Sequence, residues 1–219
     1  MGKTTTINSL FNVEWHTSET ITGTTKVQME TFDFEGNSKL IIIDMPGLGD
    51  SKANDKEFIE IYKKMLPSVD VIFYIIQADD RGLGEDERII KEIISKCGNN
   101  ICKNFVIGIN KVDLLGKNTG LKWNNFSNLP SEEQENYIKK KCEETIKRLS
   151  KATDVKGKAI TYFSATKCYN LYSVLNTIIT QSGLTGWKIP INPKDWLNLA
   201  HPDFIQTVNE EDKKIKENN

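Results

Sequence analysis

The chain has 219 residues, with 29 lysine and arginine residues against 30 acidic residues and a formal net charge of −1. This length suits one domain with a short appendage. The near-neutral charge argues against nonspecific attraction to nucleic acid, although it allows a local basic patch. No stretch reaches the ~18 consecutive apolar residues of a membrane span, and no basic-then-apolar leader precedes the first motif. We therefore expect a soluble cytoplasmic protein.

The cysteines are not spaced as a metal site. Cys97, Cys102, Cys142 and Cys168 contain no C-x-x-C pair, and both histidines are isolated from them. This spacing argues against a structural zinc site and against a disulfide framework. Cysteines without either role are typical of a reducing compartment.

The chain begins with Met1-Gly2-Lys3-Thr4-Thr5, which matches the second half of the phosphate loop G-x-x-x-x-G-K-[ST]. Apolar residues at helical spacing follow, so we predict a helix whose N-terminal amides and dipole face phosphate groups. Lys3 would neutralise the outer phosphates, and the Thr4 hydroxyl would ligate Mg²⁺. The strand and glycine that open such a loop would precede Met1. We therefore expect the true start upstream, because a buried strand contributes about as much as a domain's net stability.

A loop and a hairpin are predicted next. Residues 12 to 25 are polar without a clear period, and Thr25, or alternatively Thr24, would sense a third phosphate through Mg²⁺. Residues 27 to 34 alternate loosely, Glu35-Gly36-Asn37 predicts a turn, and residues 40 to 43 are continuously apolar. This pattern predicts an antiparallel hairpin whose second strand is buried on both faces.

That second strand ends in the acidic turn Asp44-Met45-Pro46-Gly47. Asp44 would emerge at the carboxyl end of the strand, where an open α/β sheet places its ligand, and could hold Mg²⁺ directly or through water. The amide of Gly47 could approach a terminal phosphate without interference from a side chain. Leu48 follows and has no donor or acceptor with which to position an attacking water. Hydrolysis by this chain alone should therefore be slow unless another group orients water.

Other polar residues near this turn stay unassigned. Asp50, Asp55 and Glu57 could orient water, but a solvated acidic loop is the simpler interpretation of each of them. Arg81 could act as an arginine finger, and a surface ion pair is the simpler interpretation.

The remaining pattern alternates helices and strands. Apolar residues at helical spacing predict helices over 55–66, after Ser131 and after Thr166, with Tyr62 and Tyr137 on their apolar faces. Pro67 would end the first of these helices, and the acidic residues 85–87 favour the first turn of another. Continuous apolar runs predict buried strands over 69–76, 105–109 and 160–163. Ser131 and Gln134 have the form of an N-cap and a capping-box glutamine. In the long connection before that helix, Trp123 and Phe126 would cap the core or, alternatively, anchor a partner.

Two short motifs follow the last two strands and indicate guanine recognition. In Asn110-Lys111-Val112-Asp113, the Asp113 carboxylate can accept from guanine N1–H and the amine at C2, whereas adenine has an acceptor at N1 and lacks that amine. Lys111 would pack its stem near the base and tie back to the phosphate loop, while Asn110 braces the loops. Ser164-Ala165-Thr166 would place backbone amides near guanine O6.

Taken together, these motifs resemble the translation-factor-like GTPases, specifically their Era and TrmE branch. DMPG matches the family's D-x-x-G, NKVD its N-K-x-D, SAT its guanine-supporting loop, and Gly23-Thr24-Thr25-Lys26 its G-T-T-R switch segment. The stretch from Asp44 to Glu87 is similar to a small bacterial, often prophage-borne, group of Era-like GTPases of the YfjP type. The resemblance covers roughly residues 1 to 181.

The resemblance implies a three-layer α/β fold with a doubly wound, mostly parallel sheet of the small-GTPase type that lacks its first strand here. The GTPase domain would occupy residues 1–181, and residues 182–219 would form an aromatic-rich appendage with a charged tail. This appendage would pack against the GTPase domain or, alternatively, begin a docking element for a partner. The nucleotide would be GTP or GDP with Mg²⁺. Phosphate contacts then fall to Gly2, Lys3 and Thr5, metal contacts to Thr4, Thr25 and Asp44, catalytic contacts to Thr25 and Gly47, and base contacts to Asn110, Lys111, Asp113, Ser164, Ala165 and Thr166.

The implied activity is slow hydrolysis of GTP to GDP and phosphate by a switch that acts on an unidentified effector. The TrmE resemblance also implies nucleotide-dependent dimerisation assisted by K⁺, although the asparagine used there would precede this chain. The alternative is a nucleotide-gated binding module, or an inactive remnant, without turnover. Binding of RNA or the ribosome as in Era would need an additional basic domain, for which the short, non-basic tail offers little support.

Overall fold

The computed structural model describes residues 2–15, 27–33, 39–48, 52–78, 83–153, 155, 159–185, 200, 202 and 204–205. Within them the helices are α1 (Lys3–Phe11), α2 (Lys52–Met65), α3 (Leu83–Cys97), α4 (Glu132–Thr153) and α5 (Leu171–Thr185). The strands are β1 (Gln28–Asp33), β2 (Lys39–Asp44), β3 (Ile72–Gln77), β4 (Phe105–Asn110), β5 (Trp123–Asn124), β6 (Leu129–Pro130) and β7 (Ile160–Tyr162).

The central sheet consists of three parallel strands in the order β3-β4-β7. Every residue of β4 is buried, as its continuous apolar sequence predicts for a strand with neighbours on both edges. Gly108 lies where the rings of Phe73 and Phe163 approach each other across this strand. A Cβ atom at Gly108 would come within 2.6 Å of the Phe73 ring and 2.8 Å of the Phe163 ring, so only glycine fits there.

Helices cover both faces of this sheet, which confirms the predicted three-layer α/β fold. One apolar cluster joins β3 and β4 to α2, α3 and α4, and includes Phe58, Ile76, Ile90, Ile109 and Ile138. The other joins β3 to α1 and α5, and includes Leu10, Ile75, Phe163, Leu171 and Val174. Neighbouring residues Ile75 and Ile76 thus face opposite helical layers, because side chains alternate along a strand.

Strands β1 and β2 form the predicted antiparallel hairpin, in a register that pairs Gln28 with Asp44 and Asp33 with Lys39. The predicted turn at residues 35–37 lies outside the described residues. The expectation that the second strand is buried on both faces was wrong, since Ile41 is 52% exposed. The side chains of Phe32, Leu40 and Ile42 pack against the α1/α5 cluster, whereas the face of Ile41 has no covering layer among the described residues.

In the described residues, the β1–β2 hairpin and the β3–β4–β7 sheet are not joined by strand pairing. Strand β2 pairs with β1, and β3 pairs with β4. In the described part of the chain, no strand pairs with the second edge of β2 or of β3. Side chains of both strands still meet in the same cluster, because Ile42 and Ile75 both pack there. The hairpin and the parallel sheet therefore share one apolar cluster without being joined by strand pairing in the described residues.

Several helix predictions need adjustment. Helix α2 ends at Met65, and Pro67 lies in the 3-10 turn that follows, as predicted for a helix-breaking proline. On α4, Tyr137 is 40% exposed and so is not part of the buried face that its spacing predicted. Helix α5 continues to Thr185, so the boundary drawn at residue 181 lies inside it.

Part of the C-terminal appendage packs onto the domain. Ala200 and Phe204 are buried in the cluster that contains α1 and α5, which favours packing over the docking alternative for these two residues. The tryptophans of the appendage, Trp187 and Trp196, lie outside the described residues. No helix in the described ranges is long and apolar enough to cross a membrane.

We predict that the amides on the unpaired edges of β2 and β3 exchange with solvent deuterium faster than those of β4. An edge amide lacks the interstrand hydrogen bond that protects a central strand. Hydrogen exchange followed by NMR measures this, and β4, which has neighbours on both sides, is the internal control. Equal protection of all three strands would show that another segment pairs with the two edges.

Candidate nucleotide-binding site

Polar residues gather at one edge of the molecule because the strands end there. Asp44 is the last residue of β2, Gln77 of β3 and Asn110 of β4, while Ser164 is the second residue after β7. The N-terminus of α1 lies at the same edge, since the Thr4 side chain contacts Asp44. Carboxyl ends of parallel strands are where open α/β sheets bind ligands.

Thr4 and Asp44, both predicted as metal ligands, are brought together. The Thr4 hydroxyl donates to Asp44 Oδ2 at 2.7 Å, and the two side chains are almost fully buried. Hydroxyl and carboxylate oxygens are the hard ligands that Mg²⁺ prefers, so this pair fits the ion. The described residues contain no group of three metal-binding His, Cys, Asp or Glu side chains. Magnesium here would therefore take its other ligands from phosphate and water. Thr24 and Thr25 lie outside the described residues.

The start of α1 has the shape of a phosphate cradle. Gly2 has φ of 84°, a left-handed conformation that favours glycine, and its carbonyl accepts from the Thr6 amide at 3.0 Å and the Thr6 hydroxyl at 2.7 Å. Lys3 Nζ lies 3.2 Å from where a Cβ on Gly47 would be. Thr5 is half-buried in the first turn. The structure therefore brings Lys3 beside Gly47, the two residues predicted to contact the outer phosphates.

Asn110 connects the loops at this edge. Its Oδ1 accepts from the Lys111 amide at 2.7 Å and from the Ala165 amide at 3.1 Å. A Cβ on Gly2 would approach Asn110 Nδ2 to 2.8 Å, so the side chain also lies against the start of α1. The bracing contacts expected of Asn110 are therefore present, and Ser9 of α1 adds a further link through the Ala165 carbonyl at 3.3 Å.

Lys111 makes a different contact from the expected one. Its ammonium donates to Gln77 Oε1 at 2.9 Å, rather than to the phosphate loop. The reason is the register of the sheet, which pairs Gln77 with Asn110 and so places the glutamine beside the next residue of the chain. Sequence reasoning assigned no role to Gln77, because a single glutamine at a strand end carries no recognisable pattern.

Asp113 lies in a 3-10 turn, Val112–Leu114, directly after β4. Its Oδ1 is buried and has no hydrogen-bond partner among the described residues. A buried carboxylate oxygen without a donor is costly unless a ligand supplies one. Nearby, Ser164 is fully buried, Ala165 nearly so, and Thr166 is exposed with its hydroxyl 3.3 Å from the Ser164 hydroxyl. The site thus contains an acceptor that guanine could satisfy.

The residues after Gly47 are held by α2. Leu48 is only 8% exposed and packs in the cluster of Phe58 and Ile59, so it is a core residue as well as an apolar one. The Tyr62 hydroxyl donates to the Pro46 carbonyl at 2.5 Å. Burial, with a smaller contribution from Asp44, raises the pKa of Tyr62, which keeps this donor protonated. The apolar spacing of α2 predicted that Tyr62 faces inward, and it gave no signal for this hydrogen bond.

The small hairpin of β5 and β6 braces the Ser164–Thr166 loop. Trp123 packs edge-on against Tyr169 with ring centroids 5.1 Å apart, and Asn128 donates to the Lys167 carbonyl at 2.7 Å. Trp123 therefore has the capping role that was favoured for it. Phe126 does not, since it is fully exposed at the tip. Asp50 and Arg81, whose roles were open, lie outside the described residues.

A family model supplies the remaining evidence. The model described as "50S ribosome-binding GTPase" matches residues 1–111, which include the phosphate-loop half, the D-x-x-G turn and the start of N-K-x-D. The chain belongs to this GTPase family.

Curated relatives agree with the resemblance inferred from the motifs. Over 95 residues the GTPase chain is 32% identical to YfjP of Escherichia coli K12, an alignment that covers 43% of this chain and 33% of the relative. It is 29% identical to YkfA of the same strain over 44% of this chain and 33% of that one. The GTPase Era of Aquifex aeolicus is 28% identical over 53% of this chain and 38% of its own length. The matched segment thus spans about a third of these relatives.

Solved structures show the same fold. A probable GTP-binding protein, EngB, superposes with a TM-score of 0.52 at 17% identity, covering 84% of this chain and 93% of that one. A second match, at a TM-score of 0.60 and 16% identity, comes from work on the chloroplast translocon components atToc33 and psToc159, for which dimerization is important for GTPase activity. It covers 86% of this chain and 80% of the other. At these identities the likeness concerns the fold alone.

We predict that Asn110→Ala weakens nucleotide binding and lowers the free energy of unfolding by about 1–3 kcal/mol, because two buried amides lose their acceptor. The matched control is Asn104→Ala. Asn104 is also buried, lies just before β4 at the opposite end of the strand, and donates to the Val69 carbonyl at 2.6 Å.

Urea unfolding should show that both variants are destabilised. Titration with a fluorescent GTP analogue should show that only Asn110→Ala loses affinity. Equal affinities of the two variants would mean that Asn110 supports the fold and not the site.

Proposed function

We propose that this chain binds Mg²⁺·GTP at the carboxyl edge of its sheet and hydrolyses it slowly to GDP and phosphate, as a nucleotide-dependent switch. The observation that carries the proposal is the position of Asn110, which links the N-K-V-D loop to the Ser164–Thr166 loop and lies against Gly2. One side chain thereby fixes the distance between a base-recognition loop and a phosphate-binding turn, as a nucleotide site requires.

Base selection is assigned to Asp113 with Ser164, Ala165 and Thr166. The unpartnered Asp113 Oδ1 supports this, because guanine offers N–H donors at N1 and at the exocyclic amine, and adenine offers neither arrangement. A site with a buried acceptor can reject the wrong base by about 10⁴-fold, since the mismatched group would stay unpaired. Lys111, held by Gln77, would lie along the base.

Phosphate binding is assigned to Gly2, Lys3 and Thr5, and the third-phosphate contact to Gly47. Metal binding is assigned to Thr4, Asp44 and Thr25. The Thr4–Asp44 hydrogen bond and the closeness of Lys3 Nζ to Gly47 support these roles. Bound Mg²⁺ would neutralise charge on the phosphate oxygens and hold them in place.

Replacing Asp113 with asparagine tests the assignment. We expect Asp113→Asn to weaken GTP binding by about 10²-fold or more and to improve binding of xanthosine triphosphate, whose C2 oxygen would meet an amide donor. Competition against a fluorescent GTP analogue measures both affinities. The unchanged chain, with the opposite preference, is the control. A variant that still prefers GTP would overturn the base-site assignment.

Slow turnover follows from Leu48. The side chain is buried in the core, so it neither contacts water nor has a group that could orient it. The same observation favours a second candidate function, a nucleotide-gated binding module without turnover. If the chain hydrolyses GTP, K⁺-assisted dimerisation would supply the group that Leu48 lacks. The importance of dimerization for the GTPase activity of chloroplast translocon components of the same fold supports this proposal.

We predict that the rate of phosphate release per chain rises with protein concentration and with K⁺ in place of Na⁺. Dimerisation would complete the site, and a cation would stabilise charge on the transferred group. Multiple-turnover phosphate release is the measurement, with Na⁺ at equal ionic strength as control. A rate that changes with neither protein concentration nor K⁺ would refute the dimer mechanism. Complete absence of GTP turnover would favour the binding module.

The domain limits are also proposed. Residues 1–181 would form the GTPase domain and residues 182–219 an appendage, of which Ala200 and Phe204 pack onto the GTPase domain.

The unpaired edges of β2 and β3 are compatible with one more parallel strand between them. An unidentified effector would respond to the switch in the cytoplasm.

A further inference from the structure

Gln134, on the first turn of α4, makes a contact that its sequence pattern does not predict. The capping-box motif places its side chain on the backbone of Ser131. In the structure Ser131 Oγ does accept from the Gln134 amide at 3.2 Å, as an N-cap should. The Gln134 side chain instead extends to the N-K-V-D loop. Its Nε2 donates to the Asp113 carbonyl at 3.3 Å and to the Leu115 carbonyl at 2.9 Å.

One of these carbonyls belongs to Asp113 itself, and the other lies two residues further along the chain, at the end of the 3-10 turn. The turn is otherwise closed by short-range backbone bonds, from the Leu114 amide to Lys111 and from the Leu115 amide to Val112. Gln134 is fully buried, so no solvent competes for its amide group. Its Oε1 has no partner among the described residues, so both known bonds come from the Nε2 end. Burying a polar atom without a hydrogen-bond partner, as for Gln134 Oε1, costs free energy. This cost indicates that the two hydrogen bonds from Nε2 have a specific role.

We propose that Gln134 is a positioning residue for guanine selection. By holding the Asp113 and Leu115 carbonyls, it fixes the rotation of the 3-10 turn and thereby the position of the Asp113 carboxylate. This inference rests on the proposed function, since it assumes that Asp113 recognises the base. Gln134 itself does not touch the nucleotide, and its effect passes entirely through Asp113.

The test compares Gln134→Met with Ser131→Ala in the full chain. Methionine keeps the length and apolar stem of glutamine but cannot donate to the two carbonyls. Ser131→Ala removes the N-cap of the same helix and leaves the Gln134 side chain in place, so it controls for loss of helix stability. The readout is the ratio of GTP to ITP affinity, because hypoxanthine lacks the exocyclic amine that Asp113 would accept from.

We expect Gln134→Met to lower the GTP:ITP affinity ratio by about tenfold, the size of one lost hydrogen bond to a charged group. Ser131→Ala should lower the melting temperature without changing the ratio. In an Asp113→Ala background, Gln134→Met should not lower the ratio further, because the residue through which it acts is gone. A ratio within about twofold of the unchanged chain for Gln134→Met would overturn the positioning role.

Gln134→Asn is the second variant. Asparagine keeps a polar amide group, but its side chain is one methylene shorter, so the amide cannot reach both carbonyls. A lowered ratio in this variant supports the proposal, and an unchanged ratio overturns it. If neither variant folds, the residue serves the stability of the whole fold and the positioning role is refuted. An unchanged chain that fails to prefer GTP over ITP and ATP would instead overturn the proposed function, which separates the two failures.

Discussion

The site depends on Asn110, a buried amide side chain at the end of the most buried strand. Its Oδ1 accepts from two backbone amides on different loops, and its Nδ2 lies close to Gly2. One backbone hydrogen bond, from the Val112 amide to the Phe163 carbonyl at 3.3 Å, also joins the two segments, and Asn110 adds the side-chain link. Loops at the edge of a sheet are ordinarily mobile, and a side chain anchored in the central strand gives them the rigidity of that strand.

The same edge holds polar groups that the fold leaves for a ligand. Asp113 Oδ1 is buried without a partner in the described chain, and Thr4 and Asp44 place two oxygens together in a nearly dry environment. The Asp113 oxygen, which has no hydrogen-bond partner among the described residues, destabilises the protein without ligand, because it loses water without gaining a donor. Binding of a nucleotide with its metal would therefore stabilise the domain as well as occupy it, since any ligand of the native state does so.

Sequence patterns predicted the five helices and the strands β1 to β4 and β7, because apolar periodicity is a local property, but they missed the short strands β5 and β6 in the connection before α4. They failed where the answer depends on neighbours in space. Ile41 was expected to be buried, and its exposure follows from the lack of a covering layer over the hairpin. The motifs of Lys111 and Gln134 each predicted a hydrogen-bond partner that the structure does not have. Lys111 donates to Gln77, which the sheet register places beside it, and Gln134 donates to the Leu115 carbonyl, which the packing of α4 brings close. Side chains with several possible acceptors are decided by tertiary geometry.

The turn after β2 shows how a nucleotide signal would leave the site. On one side of Gly47 the Pro46 carbonyl is held by Tyr62, and on the other Leu48 is packed against Phe58 of the same helix. A shift of Gly47 toward a third phosphate would have to break that hydrogen bond, move Leu48 in the core, or carry α2 along. Packed cores are not continuously deformable, so the last course requires the least disruption. The burial of Leu48 among side chains of α2 therefore couples any displacement of this turn to a displacement of the helix.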